Sequence, residues 1–378
     1  MNHFDVIVLG AGVAGSSTAY QVAKQKKKVL LLEQFDLLHK FGSSHGGSRI
    51  FRHAYEDQRY VKLAQAADEL WVQLENDADE KLLTRTGGLD IGTANFHEIT
   101  EIQNALTQAN RPFEVLDAVD VVKRFPAFKL RDDQVAICQK DAGVLAATRC
   151  VNAMLRTAVR YGVTLQSQEP VETLKLGQHV EVKTSKGHYS SEKLVICAGP
   201  WLGKVVTELE LPLHVEQQQV LYVTVKNGHL HTPNTMPLFI NRDPTADVYG
   251  FPLFDHPTAI KISDHANAPT INLEERGFDL MQPWGQNTVE RAKSFLPNII
   301  GDLVHFELCL YTKTPDEHFI LDLHPEHQNV AIAGGFSGHG FKFGPVLGEI
   351  MTDLLEGNSR HDLSLFGVNR FEKVGVSN

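Results

Sequence analysis

The chain has 378 residues, 42% of them apolar and 22% charged, and carries a formal net charge of −10. Such a length and composition describe a globular protein of two or three structural units, not a fibrous or disordered one. The acidic balance argues against nucleic acid or an anionic membrane as partner, since either would want a broad basic surface.

Residues 4–9, FDVIVL, read as a short buried parallel strand; no basic segment leads it and glycines break the apolar run, so it is not a signal peptide. Gly10, Gly12 and Gly15 follow in G-x-G-x-x-G spacing and open a helical stretch, VAGSSTAYQVAKQKK. A second apolar strand, KVLLLE, ends in Glu33, 18 positions beyond Gly15. Strand, glycine turn, helix and acid-ended strand together form a dinucleotide-binding unit. In it Gly10 permits the tight turn, Gly12 lets the backbone approach a pyrophosphate, and Gly15 lets the helix pack on the strand. Glu33 would accept hydrogen bonds from a ribose.

A loop rich in Gly, Ser and His, QFDLLHKFGSSHGGSRIFRHAY, leads to a helix, YVKLAQAADELWVQLEND. Residues 85–142 read as an insertion holding the strand GGLDIGT, the helix FHEITEIQNALTQAN and the turn-rich RFPAFKLRDDQ. Residues 148–162 predict another amphipathic helix, SKGH a hairpin turn, and KLVICAG a second buried strand ending in glycine. From about 213 to 311 the alternating runs QQQVLYVTV, DVYGFPLF, AIKISDH and FELCLYT predict a mostly antiparallel sheet, a platform for substrate. NVAIAGGFSGHGFKFGPVLGEIMTDLLEG then predicts a strand, a glycine-rich turn and a helix beginning near Gly340.

No segment approaches the roughly 20 apolar residues of a membrane helix, and the final KVGVSN carries no peroxisomal or lipid address. The four cysteines, Cys138, Cys150, Cys197 and Cys309, form no CxxC pair and suit a reducing compartment. The cytoplasm is therefore the expected location. The expected fold is α/β. Residues 1–84, 143–212 and 312–378 would build a Rossmann-like FAD-binding domain, and residues 85–142 and 213–311 a mixed, mostly antiparallel β-rich substrate domain.

Glycine-rich strand–helix junctions at both ends of the chain favour FAD over NAD, with the last helix aiming its positive end at the flavin ring. Arg49 and Arg52 lie in the Gly/Ser loop, Lys342 follows GFSGHGF, and Lys261 and His265 stand four apart on one strand face. Each cation alone reads as a solvated surface charge. Together they suit one task. An Arg and a Lys converging on one carboxylate would hold an amino-acid substrate. Further cations would disfavour the protonated amine, which gives up hydride poorly, and would stabilise reduced flavin and developing superoxide. G-x-S-x-G, H-E-x-x-H and P-loop motifs are absent, and His324 and His327 lack further metal ligands, so no metal is expected. Cys309 on its own is open between a buried inert thiol and a reactive one.

FDVIVLGAGVAG, GSSHGGSRIFRHAY, CLYTKTPDEHFILDLHPEH and GFSGHGFKFGPVLGE resemble the monomeric sarcosine oxidase family, and the similarity runs over essentially the whole chain. The resemblance implies a glycine oxidase-type fold and FAD joined by a thioether from its 8α-methyl to Cys309 (8α-S-cysteinyl). It also implies O2 as acceptor and a monomer. Tyr311, two residues past Cys309, shares its strand face and would line the flavin pocket. By the same matching, Arg52 and Lys342 form a carboxylate clamp, Lys261 is an oxygen-activating lysine, and His265, Tyr249, Ile240 and Gly338 shape the substrate pocket. Val13, Ser43, His45, Arg49, Val171 and His339 would be flavin neighbours, with Lys342 close to both ligands.

Three positions depart from the family. Its Gly-Asp-Thr-Arg reads Gly46-Gly47-Ser48-Arg49, and Ile240 stands at a methionine position. The implied reaction is oxidative demethylation of sarcosine to glycine, formaldehyde and H2O2. Oxidation of N-methyltryptophan or another secondary amino acid, and a flavin dehydrogenase using another acceptor, are the rivals.

Overall fold

The computed structural model describes residues 2–265 and 268–371; the KVGVSN terminus lies outside them. Two eight-stranded sheets and one three-stranded sheet organise the chain.

In the first sheet the Asn2–Leu9 strand lies parallel to Val29–Leu32 on one side and His188–Ile196 on the other. His188–Ile196 also pairs in parallel with His327–Gly334. Val29–Leu32 is buried throughout, as an unbroken VLLL run requires of a strand covered on both faces. The hairpin strands Val171–Lys175 and Val180–Thr184 extend the sheet, and the SKGH turn joins it to His188–Ile196.

Helices Val13–Lys24 and Gly344–Leu355 pack on this sheet, and Ala147–Arg160 packs on Val13–Lys24. The small residues VAGSSTA let two of them approach at backbone distance: a Cβ on Gly348 would lie 2.3 Å from Ser17 Oγ. The last helix begins at Gly344, later than expected, and Phe341–Phe343 forms a 3-10 turn before it. Pro345 sets that start, because a proline in the first turn forfeits only an N–H that has no helical partner.

The second sheet runs in the order Ile299–Lys313, His214–Val225, Ala259–Ser263, Val248–Phe251, Leu238–Asn241, Gly88–Thr93, Gln134–Gln139, Glu114–Asp117. All neighbours are antiparallel except Leu238–Asn241 and Gly88–Thr93. Helices Ala118–Arg124 and Trp284–Lys293, and the strands Glu114–Asp117, Gln134–Gln139 and Leu238–Asn241, extend what the sequence pattern indicated. Among the described residues no helix is long and apolar enough to cross a membrane.

Candidate active site

A cavity of about 580 Å3 opens beyond the end of the Asn2–Leu9 strand. The glycine turn forms one wall. Gly10 has φ +94°, and a Cβ there would sit 2.4 Å from the Cys197 carbonyl oxygen; a Cβ on Gly15 would sit 1.8 Å from that of Gly10. Gly12 offers no side-chain cap to the helix that starts at Val13, whose first turn lines the cavity. The Val13 N–H donates to Ser44 Oγ at 3.0 Å. Glu33 accepts from the Ala11 N–H at 2.8 Å and the Phe35 N–H at 3.0 Å, with His39 3.4 Å away. Burial would raise its carboxyl pKa, but His39 and the two amides outweigh it and hold the group below its ordinary range. Ser43, His45, Arg49 and Val171 line the same cavity, with Cys309, Tyr311 and Gly338 where it meets a second one.

Volume, glycine cradle, helix N-terminus and strand-end acid fit a flavin dinucleotide. Among the anticipated flavin neighbours, His339 and Lys342 border the second cavity, not the large one.

That second cavity measures about 70 Å3 and adjoins the first through His45, Arg49, Cys309, Tyr311, Gly338 and Phe341. It brings together Arg52, Ile240, Tyr249, Lys261, His265, His339 and Lys342 from distant parts of the sequence. Ile240, Tyr249 and Lys261 come from neighbouring strands of the second sheet, Cys309 and Tyr311 from its edge strand, and Lys342 from the 3-10 turn. Gly338 has φ +81°, and a Cβ there would lie 2.4 Å from the Tyr311 ring.

Four cations meet here. Arg49 donates to the carbonyls of Ser43 (3.1 Å), His45 (2.6 Å) and Ser48 (2.8 Å), and its Nη2 lies 3.5 Å from Cys309 Sγ. Lys261, 2% exposed, donates to Ser48 O at 3.1 Å and Ser48 Oγ at 3.2 Å. Burial and the Arg49 charge bring its pKa down to about 8. Lys342 donates to the Tyr55 hydroxyl at 2.8 Å and the His339 carbonyl at 2.7 Å. Burial and then Arg52 push it well below the usual lysine range. Arg52 stacks 4.5 Å from the Tyr55 ring, with Asp90 at 3.6 Å, and its buried Nη1 has no hydrogen-bond acceptor. This is a pocket short of negative charge.

The histidines answer to the same field. His45 is buried with both ring nitrogens unpartnered, and burial followed by Arg49 and Lys261 depresses it to about 3. The His265 ring lies 4.7 Å from the Tyr249 ring, tilted 31° to it, and opens onto the cavity; surrounding protein and then Arg242, Arg52 and Lys342 hold it below its ordinary range. Burial and Lys342 do the same to His339. Tyr249 and Tyr311 share a 3.2 Å hydroxyl contact. Residues not singled out from sequence include Tyr55, Asp90 and Glu307. Tyr55 sits in the same FRHAY segment as Arg52 and could have been flagged, whereas Asp90 shows nothing beyond its place in a strand pattern.

Residues 5–354 match the FAD dependent oxidoreductase family, DAO. Monomeric sarcosine oxidase from Bacillus sp. (strain NS-129) is 37% identical over 376 residues, covering 97% of each chain. The chain belongs to the sarcosine oxidase family of FAD-dependent oxidoreductases. It is a flavoprotein amine oxidase. N-methyl-L-tryptophan oxidase from Salmonella heidelberg (strain SL476) is 32% identical over 377 residues, covering 98% of this chain and 100% of that one. Among solved structures, glycine oxidase from Geobacillus kaustophilus superposes with a TM-score of 0.81 at 18% identity, over 98% of this chain and 99% of that one. The glycine oxidase-type fold expected from sequence is the fold observed.

Proposed function

We propose that this oxidase demethylates sarcosine, with FAD attached through Cys309 and O2 as acceptor: sarcosine + O2 + H2O → glycine + formaldehyde + H2O2. The observation that carries it is a small, cation-rich cavity of about 70 Å3 joined to the larger one at Cys309. At 10–15 Å3 for each water-sized group, it takes roughly five to seven heavy atoms. Sarcosine has that size, and an indole does not fit beside it. Ile240, β-branched and stiff, narrows the same wall.

FAD supplies the two-electron chemistry when bound; the glycine turn, Glu33, Ser43 and Val171 are placed to hold its dinucleotide. Arg49 sets a cation beside the Cys309 sulfur, the setting that favours a nucleophilic thiol. Arg52 and Lys342 bind the substrate carboxylate by charge-assisted hydrogen bonds. The same cations oppose a protonated substrate amine, so the reactive free amine is favoured. Tyr249 and His265 orient the N-methyl end, and Lys261 presents its charge to incoming O2. Residues 1–84, 143–212 and 312–378 act as the cofactor unit and the rest as the substrate unit, in a cytoplasmic monomer.

The test is peroxide production across N-methyl amino acids, with glycine and proline as controls, on protein that stays yellow after acid precipitation. Sarcosine should lead. A tenfold preference in kcat/KM for N-methyltryptophan, about 1.4 kcal/mol of discrimination, would move the substrate assignment to the rival. Colour released wholly by acid would refute the Cys309 link.

A further inference from the structure

Asp255 sits in the turn between the Val248–Phe251 and Ala259–Ser263 strands, exposed to solvent. Its Oδ2 nonetheless reaches inward and accepts hydrogen bonds from Ser48 Oγ and the Tyr222 hydroxyl, both at 3.0 Å. Ser48 is fully buried, and its Oγ in turn accepts from Lys261 Nζ at 3.2 Å. Asp255, Ser48 and Lys261 therefore make an unbroken hydrogen-bonded file from solvent to the small cavity.

Gly47 makes the file possible. Its φ is outside the left-handed region, so the backbone does not demand glycine. Space does: a Cβ at 47 would lie 2.2 Å from Asp255 Oδ2. With no side chain at 47, the Asp255 carboxylate occupies the room beside Ser48.

We propose that Asp255 and Ser48 form a proton path that recharges Lys261 during turnover. The proposal rests on the enzyme being an O2-dependent oxidase, because O2 that takes two electrons from the amine needs two protons to leave as H2O2. Lys261 gives one of them: an O–H bond forms and an N–H bond breaks. The Asp255 carboxylate picks up a proton from solvent hydronium, which leaves as water, and passes it to Ser48 as Ser48 gives its own hydroxyl proton to the neutral amine, so that Asp255 and Ser48 end as they began. Each transfer makes one bond to hydrogen and breaks one, and no electron moves along the file.

At 2% exposure Lys261 has little direct access to bulk water, and its pKa of about 8 lets it exchange a proton near neutral pH. His45 faces it from the loop and Arg49 from the short Arg49–Phe51 strand, Tyr222 from the second sheet, Asp255 from the turn, and Glu307 and Cys309 from the edge strand. Glu307 is the rival relay. Its carboxylate makes no hydrogen bond to Lys261 or Ser48, and Asp255 does bond Ser48.

The test uses holoenzyme carrying Asp255→Ala or Gly47→Ala; the latter pushes the carboxylate off Ser48 without touching Asp255. Selective 15N-lysine labelling follows the Lys261 titration in the resting enzyme, independent of turnover. Its midpoint should fall in both variants, because the Asp255 charge raises it. In stopped flow, reoxidation by O2 should slow at least about tenfold more than anaerobic reduction by the amine, as expected for a lost proton donor. Added formate or acetate should restore it in Asp255→Ala, with rates that follow the strength of the acid. Wild-type reoxidation in both variants, or slowing that no added acid reverses, overturns the path. Failure of the unmodified enzyme to be reduced anaerobically by any amine would instead overturn the oxidase proposal, and the lysine titration would still report on the file.

Discussion

Arg52 and Lys342 stand close enough to depress Lys342, and only the Asp90 carboxylate, 3.6 Å from Arg52, offsets them. Lys342 itself meets neutral oxygens alone. A ligand carboxylate removes that imbalance, so Arg52→Gln or Lys342→Gln should weaken a simple carboxylate inhibitor by about 1.5–3 kcal/mol, roughly ten- to a hundredfold. Inhibitor titration of the flavin spectrum measures it; unchanged affinity in both variants would remove the clamp.

Lys261 gives a pH prediction with a definite sign. It is a cation below about pH 8 and neutral above. If its charge assists O2, reoxidation should fall as pH rises through about 8, and Lys261→Met should be slow and flat across that range. Equal loss in the amine half-reaction would contradict the role. Arg52 and Lys342 could be singled out because each lies in a distinctive segment, and Lys261 because it stands four residues from His265 on a strand-like run. Asp255 and Asp90 could not, since what matters about them is the partner reached across a sheet, which no local pattern records.

At the scale of elements, strands with alternating exposure were readable and those without it were not. Leu238–Asn241 is buried along its whole length and four residues long, so period-two reasoning has nothing to find. Trp284–Lys293 buries only Gly285, Thr288, Val289 and Ala292, a stripe too weakly apolar to announce a helix. The start of the last helix was misplaced because its glycine-rich approach resembles the opening turn, while Pro345 holds the helix back to Gly344. Helix contact there is tight. Gly348→Ala would drive a methyl into the Ser17 backbone, whose carbon is 2.6 Å from the new Cβ, and should cost about 1–3 kcal/mol. Thermal melting of the holoenzyme tests it, and an unshifted Tm would mean that the two helices separate freely.

Over the whole molecule, the division into two sheets was readable from the change of periodicity along the chain, and the course of the cofactor cavity between distant segments was not. The glycine turn belongs to residues 10–15, the sulfur to residue 309, and the wall beside it to residues 335–341. This order in the sequence has a consequence for biosynthesis. A ribosome exposes the phosphate cradle early, but the sulfur and the wall beside it come near the end. The His327–Gly334 strand, which joins the first sheet beside His188–Ile196, also comes late. On the proposed link through Cys309, flavin attachment would be one of the last events in making the enzyme. Chains stalled before residue 327 should carry Cys309 and no covalent flavin, and chains released at full length should gain it. Colour on stalled chains would show that the cradle alone can present the cofactor to the sulfur.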